Sequence, residues 1–165
     1  MGVLDLYRLD GRVVIVTGAG SGLGADFAVA VAEAGADVVL AARRADRLAT
    51  TAAAVEATGR RVLVVPADVA DPEQCGDVAS RAMAHFGRID VLVNNAGLGT
   101  AVPALHERPE DFRRVLDVNL MGAYWMAQSC AREMDPGSSI VNVSSTLAFI
   151  APPAPQAAMR PARQA

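Results

Sequence analysis

Residues 17–24 read Thr-Gly-Ala-Gly-Ser-Gly-Leu-Gly and sit between two segments of different period. Before them runs Val13-Val14-Ile15-Val16, a β-branched, continuously apolar segment that fits a buried strand. After them a helical pattern covers residues 25–34 and stops at Gly35. Strand, glycine loop and helix in this order suit an anionic ligand. Residues without a Cβ let the backbone approach phosphates, and the helix N-terminus offers free N–H groups and its positive dipole end. The chain is therefore predicted to build its architecture around this loop.

The rest of the chain repeats the same alternation. Strands are predicted at residues 12–17, 37–41, 61–65, 90–93 and 139–143, each an aliphatic run. Helices lie between them. The first carries Phe27, Ala28 and Val31 on its apolar face; the second carries Leu48, Ala52 and Val55 and ends at Gly59. The third starts at Asp71-Pro72-Glu73-Gln74, where Asp is the N-cap, Pro opens the first turn and Gln stands three residues after the cap. It carries Val78, Ala82 and Phe86 and ends at Gly87. A longer helix is expected from Pro109 to about Asp135, with Phe112, Val115, Leu116 and Leu120 on one face. Five strand–helix alternations imply right-handed βαβ units and a parallel sheet covered on both faces.

Composition narrows the function. The chain has 165 residues, 52% of them hydrophobic and only 4% aromatic. A core of Val, Leu, Ile and Ala suits a parallel sheet. The net charge of −3 leaves no basic face for nucleic acid. Cys75 and Cys130 are far apart and belong to no Cys-x-x-Cys pair, so they are expected to be reduced thiols, buried or partly buried. His85 and His106 are isolated, and no ligand spacing for a metal is present. No apolar run could span a membrane, no signal-peptide core opens the chain, and the cytoplasm is the expected compartment. All fifteen basic residues are arginine; there is no lysine.

Several short motifs coincide with the strand ends. The glycines are spaced Gly18-x-x-x-Gly22-x-Gly24. Asp68-Val69 follows the third strand, and Asn94-Asn95-Ala96-Gly97 follows the fourth. Asn119 lies in the long helix, and Ser144-Ser145 closes the fifth strand. In order and spacing this resembles the short-chain dehydrogenase/reductase family over about residues 9–150, the first three-fifths or so of a typical member. The resemblance implies an α/β fold: a Rossmann-type, doubly wound parallel sheet of about five strands, lacking the family's last strands and helices. It implies hydride transfer between a nicotinamide and an alcohol or ketone, and usually a homo-oligomer.

It also implies roles. Gly18, Gly22 and Gly24 would form the pyrophosphate turn, with loop contacts from Ser21 and Leu23. Asp68 and Val69 would flank the adenine. Asn95, Ala96 and Gly97 would line the cofactor. Asn119 resembles the Asn that holds a proton-relay water, and Ser145 resembles the catalytic Ser. Cofactor choice follows from charge. This fold places an acid after the second strand for the ribose of NAD, or an Arg for the 2′-phosphate of NADP. Here Ala42-Arg43-Arg44 has no acid, which favours NADP(H) over NAD(H).

Part of the family pattern is absent. The family's Tyr-x-x-x-Lys would start near Ala157 or Ala158, with the Lys at Pro161 or Ala162. The only tyrosines are Tyr7 and Tyr124. Residues 1–150 are thus read as an incomplete cofactor domain. Residues 151–165, with four prolines and no apolar period, are read as a disordered tail. That tail is expected to be an out-of-frame or prematurely ended version of the catalytic segment. This chain then has impaired turnover, or is an inactive dinucleotide-binding or interaction module.

Overall fold

A computed structural model describes residues 2–99 and 102–145. The predicted tail at 151–165 lies outside the described residues. Five parallel strands form one sheet: β1 (Val13–Thr17), β2 (Asp37–Ala42), β3 (Val62–Pro66), β4 (Val91–Asn94) and β5 (Ser139–Asn142). Their order across the sheet is β3-β2-β1-β4-β5, so β1 is central and the chain reverses its direction of winding between β1 and β4. In open α/β sheets the crevice at that reversal, at the carboxyl ends of the strands, is where ligands bind.

Period-two alternation divides the sheet's two faces. Val14 and Val16 of β1 and Val38 and Leu40 of β2 pack under α1 (Leu23–Glu33) and α2 (Ala45–Glu56). Val13, Ile15 and Val39 face the other way, toward α3 (Pro72–Phe86) and the later helical segment. Ile15, Leu40 and Leu92 are fully buried, and each such side chain is worth roughly 2–3 kcal/mol of transfer free energy. The doubly wound Rossmann-type architecture is the one the alternation predicts.

Two aspartates tie the amino ends of the strands. Asp37 opens β2 and accepts hydrogen bonds from Arg61 N–H at 3.0 Å and Arg61 Nη2 at 2.6 Å. Asp90 precedes β4 and accepts from Val13 N–H at 2.8 Å, Arg12 at 2.7 Å and Arg88 at 2.8 and 2.7 Å. Burial alone would raise the Asp90 carboxyl; these bonds outweigh it and hold the pKa at about 2.

The long helix differs from its expectation. It comprises α4 (Pro109–Leu116), a π-helical stretch (Asp117–Gly122) and α5 (Ala123–Ala131). Its buried residues are Val115, Val118, Gly122, Met126 and Cys130. Phe112, Leu116 and Leu120 are exposed, so the predicted common face with Val115 is not what packs inward. The buried stripe keeps the ordinary spacing of three and four residues through the wide turn and runs beside Phe112, Leu116 and Leu120. A Cβ on Gly122 would meet Val69 Cγ2 at 2.7 Å, so only glycine lets the helix approach that close.

All four residues of β5 are exposed, and among the described residues no strand pairs with its outer edge. Ile140, Val141 and Val143 carry no protecting charge, and such an edge is a template for association. Val141→Lys is expected to lower the light scattering of concentrated protein while leaving the thermal midpoint within a few degrees. Undiminished scattering would contradict this use of the edge.

Candidate cofactor site

The loops after β1, β2, β3 and β4 meet at the sheet's carboxyl end around a cleft of about 270 Å³. The glycine loop forms one wall. Gly18 has φ +66°, and a Cβ there would lie 2.8 Å from Ala96 Cα. Gly24 sits in the first turn of α1, where a Cβ would overlap the Gly18 carbonyl oxygen and come within 2.5 Å of Asn95 Nδ2. These two glycines let α1, the loop and the β4 end close on one another. Gly22, with φ +54°, caps α1, so the chain enters the helix through a conformation that favours glycine.

Thr17 and Asn95 lock the β1 and β4 ends together. Thr17 Oγ1 accepts from Asn95 N–H at 2.9 Å and Ala96 N–H at 3.0 Å. Asn95 Nδ2 donates to the Thr17 carbonyl at 2.8 Å. Asn94 Nδ2 donates to Asn142 Oδ1 at 3.0 Å and to the Ala123 carbonyl at 2.9 Å, binding β5 and α5 to β4. Asn119 projects from the π turn onto the loop after β4. Its Oδ1 accepts from Leu98 N–H at 2.9 Å, and its Nδ2 donates to the Leu98 carbonyl at 2.8 Å.

The far end of the cleft is charged. Arg43 and Arg44 both line it and both are exposed. Arg43 Nη1 lies 3.9 Å from Asp68 Oδ2, a loose pair in a solvated setting. Asp68 also caps its own turn, accepting from Ala70 N–H at 3.1 Å. An exposed guanidinium beside the end of β2 suits a phosphate on a ribose, and the glycine-rich entry to α1 suits a pyrophosphate. A dinucleotide therefore fits the donor set.

Of the residues singled out in the sequence, Gly18, Ser21, Arg43, Arg44, Asp68 and Val69 line the cleft, as do Asn95, Ala96 and Gly97. Gly22, Leu23 and Gly24 stand beside it as the start of α1. Asn119 reaches it through Leu98. Ser145 follows β5 by three residues, at the same carboxyl end of the sheet as Asn95. Sequence reasoning missed Gly20, Ala42, Ala67, Leu98 and Val118 in the lining. Gly20 was legible from its place in the loop; the others are ordinary apolar residues brought in by different elements.

The tyrosines are elsewhere. Tyr7 closes a 3-10 turn (Val3–Tyr7) and Tyr124 lies on α5; both are exposed and neither lines the cleft. The thiols are inert. Burial pushes Cys75 up to about 11 and Cys130 up to about 12, far from a reactive thiolate. Among the described residues no group of His, Cys, Asp or Glu could hold a metal, and no helix is long and apolar enough to cross a membrane.

Fold and cleft together define a Rossmann-type dinucleotide binder. The family model described as short chain dehydrogenase matches residues 12–157, and the chain belongs to that family. It is 41% identical over 147 residues to an L-rhamnose 1-dehydrogenase (NAD(P)(+)) of Sphingomonas sp. (strain SKA58), covering 86% of this chain and 58% of that protein. A short-chain type dehydrogenase/reductase from Mycobacterium marinum superposes with a TM-score of 0.91 at 35% identity, over 95% of this chain and 65% of that one. A short chain dehydrogenase from Burkholderia cenocepacia J2315, crystallised in complex with NADP, gives 0.86 at 36% identity, over 90% and 61%. The chain thus spans about three-fifths of the length of these relatives. Of such relatives, the L-rhamnose 1-dehydrogenase is named for NAD(P)(+), the Burkholderia cenocepacia protein holds NADP, and a xylitol dehydrogenase of the same fold holds NAD+.

Proposed function

We propose that this chain belongs to an oxidoreductase that moves hydride between NADP(H) and an alcohol or ketone, and that these 165 residues bind the cofactor without completing turnover. One observation carries the reading: a cleft with glycine loop and arginines in place, in a chain with no lysine and no tyrosine at the cleft.

In this reading the residues divide the labour by their place in the cleft. Gly18, Ser21, Gly22, Leu23 and Gly24 receive the pyrophosphate at the α1 N-terminus. Arg43 and Arg44 take the 2′-phosphate. Asp68 and Val69 flank the adenine, while Asn95, Ala96 and Gly97 form the opposite wall. A bound nicotinamide supplies the hydride chemistry. Ser145 offers its hydroxyl to the substrate oxygen, and Asn119 fixes the Leu98 loop beside it. What these residues lack is a proton donor matched to the substrate oxygen. An unassisted tyrosine titrates near 10, and here even that group is missing from the cleft. General acid–base help of this kind is worth about 10²–10⁴ in rate.

NADPH consumption with a panel of aldehydes and ketones, run beside calorimetric titration of NADPH and NADH, tests both halves. Tighter NADPH than NADH binding with no substrate-dependent consumption is expected. Tighter NADH binding would sink the cofactor assignment. Turnover at ordinary dehydrogenase rates would sink the impairment.

A further inference from the structure

Thr51 lies in the middle of α2 and is only 5% exposed, an unusual place for a hydroxyl. A helical threonine ordinarily returns its hydroxyl to the carbonyl four residues back. This one reaches out of its helix and donates to the Ala19 carbonyl at 2.9 Å, in the glycine loop. Ala19 is held from the other side too, its N–H donating to the Ala41 carbonyl of β2 at 3.3 Å. Gly20 rests against the same helix: a Cβ there would meet Arg47 Cβ at 3.1 Å. Arg47 and Thr51 are one helical turn apart, so α2 presents a continuous floor to the loop's first turn.

This contact has a directional consequence. The described peptides are all trans, and in a trans peptide the carbonyl and the following N–H point to opposite sides. Drawing the Ala19 oxygen onto α2 therefore aims the Gly20 N–H away from α2. Gly20 and Ser21 line the cleft, and Arg43-Arg44 immediately precede the same helix. We infer that Thr51 is a positioning residue for the dinucleotide: it holds the Ala19–Gly20 peptide in a single orientation, so that the loop meets its ligand already ordered. α2 then serves both ends of the cleft, with arginines at its start and the loop clamp on its inner face.

The inference rests on the dinucleotide reading, and the test separates the two. The chain and its variants are titrated with NADPH and with NADH by calorimetry, with thermal midpoints recorded in parallel. Thr51→Val keeps the shape and deletes the donor; it is expected to weaken both cofactors by the same factor, about tenfold, the scale of one lost hydrogen bond with an orphaned carbonyl. Thr51→Ser is expected to restore affinity to within about twofold, the donor being retained. Arg44→Ala is expected to weaken NADPH alone. Thr51→Ala, which leaves room for a water at the Ala19 carbonyl, is the second arm if valine does not fold, and it too must weaken both cofactors. Unchanged affinity in a folded Thr51 variant lacking the hydroxyl, or no rescue by serine, overturns the positioning role and leaves the dinucleotide reading standing. Absence of binding by the unsubstituted chain overturns both.

Discussion

Gly24→Ala is expected to destabilise the chain by about 3 kcal/mol and to weaken NADPH binding by about a hundredfold. The added methyl group has nowhere to go. It would overlap the Gly18 carbonyl oxygen, and it would also press on Asn95 Nδ2 at 2.5 Å and the Gly18 carbonyl carbon at 2.9 Å. Two of these atoms are backbone, so no rotamer change relieves the contact. α1 must move off the loop or the loop must refold. Either response breaks the Asn95–Thr17 bond that joins the ends of β1 and β4. Thermal melting and cofactor titration check the two parts. By contrast, Gly59→Ala would meet no atom within 4 Å, although its φ of +80° makes an added side chain strained. That substitution is expected to lower the melting temperature and leave affinity unchanged, which separates backbone strain from damage to the cleft. A Gly24→Ala variant with normal affinity would mean that the close helix–loop approach is not needed for binding.

Asp90→Ala is expected to cost about 3 kcal/mol, because it leaves the buried Val13 N–H unpaired and removes the anchor of Arg12 and Arg88. The same carboxylate sets the acid limit of the fold. Its folded pKa of about 2 lies below the unfolded value near 3.9, so its contribution is complete above pH 4. It is lost as pH falls through the folded pKa, between about pH 4 and pH 2. Its size is on the order of 2 kcal/mol, one pKa unit being about 1.4 kcal/mol. Asp37 acts in the same direction: burial raises its carboxyl, the bonds from Arg61 outweigh that, and the net pKa is lowered. Urea titrations at a series of pH values should show stability falling over that window in the unsubstituted chain, and falling less in Asp90→Ala. Identical acid limbs would remove Asp90 as a source of the pH dependence. Asp90 ties the start of β4 to β1 at the end opposite the cleft.

How much of this was legible in the sequence depended on whether the cause was local. Asp71 does cap α3, accepting from Glu73 and Gln74 N–H, because a cap needs only its own next three residues. The glycine loop was legible for the same reason, and so were Leu48, Ala52 and Val55 as the inner face of α2. The π turn was not. It carries Asn119, bonded to Leu98, and Gly122, which abuts Val69, contacts between segments far apart in the chain. Apolar spacing also does not say which side of the helix meets the sheet, and Phe112, Leu116 and Leu120 point outward. Thr51 drew no attention because one of two adjacent threonines in an alanine-rich helix has no signature; only the fold shows that its hydroxyl meets Ala19. The roles of Asp37 and Asp90 were not legible either, because Arg61, Arg12 and Arg88 come around them only in the fold.

The glycine loop, Arg43 and Arg44 line one cleft, the cofactor cradle proposed above. One calorimetric titration of the purified 165-residue chain with NADPH, repeated with NADH, tests it most directly. Saturable binding of NADPH to one site per chain, tighter than NADH, is the predicted result. Heat of dilution alone for both cofactors, from a chain whose circular dichroism shows the folded sheet, would contradict it.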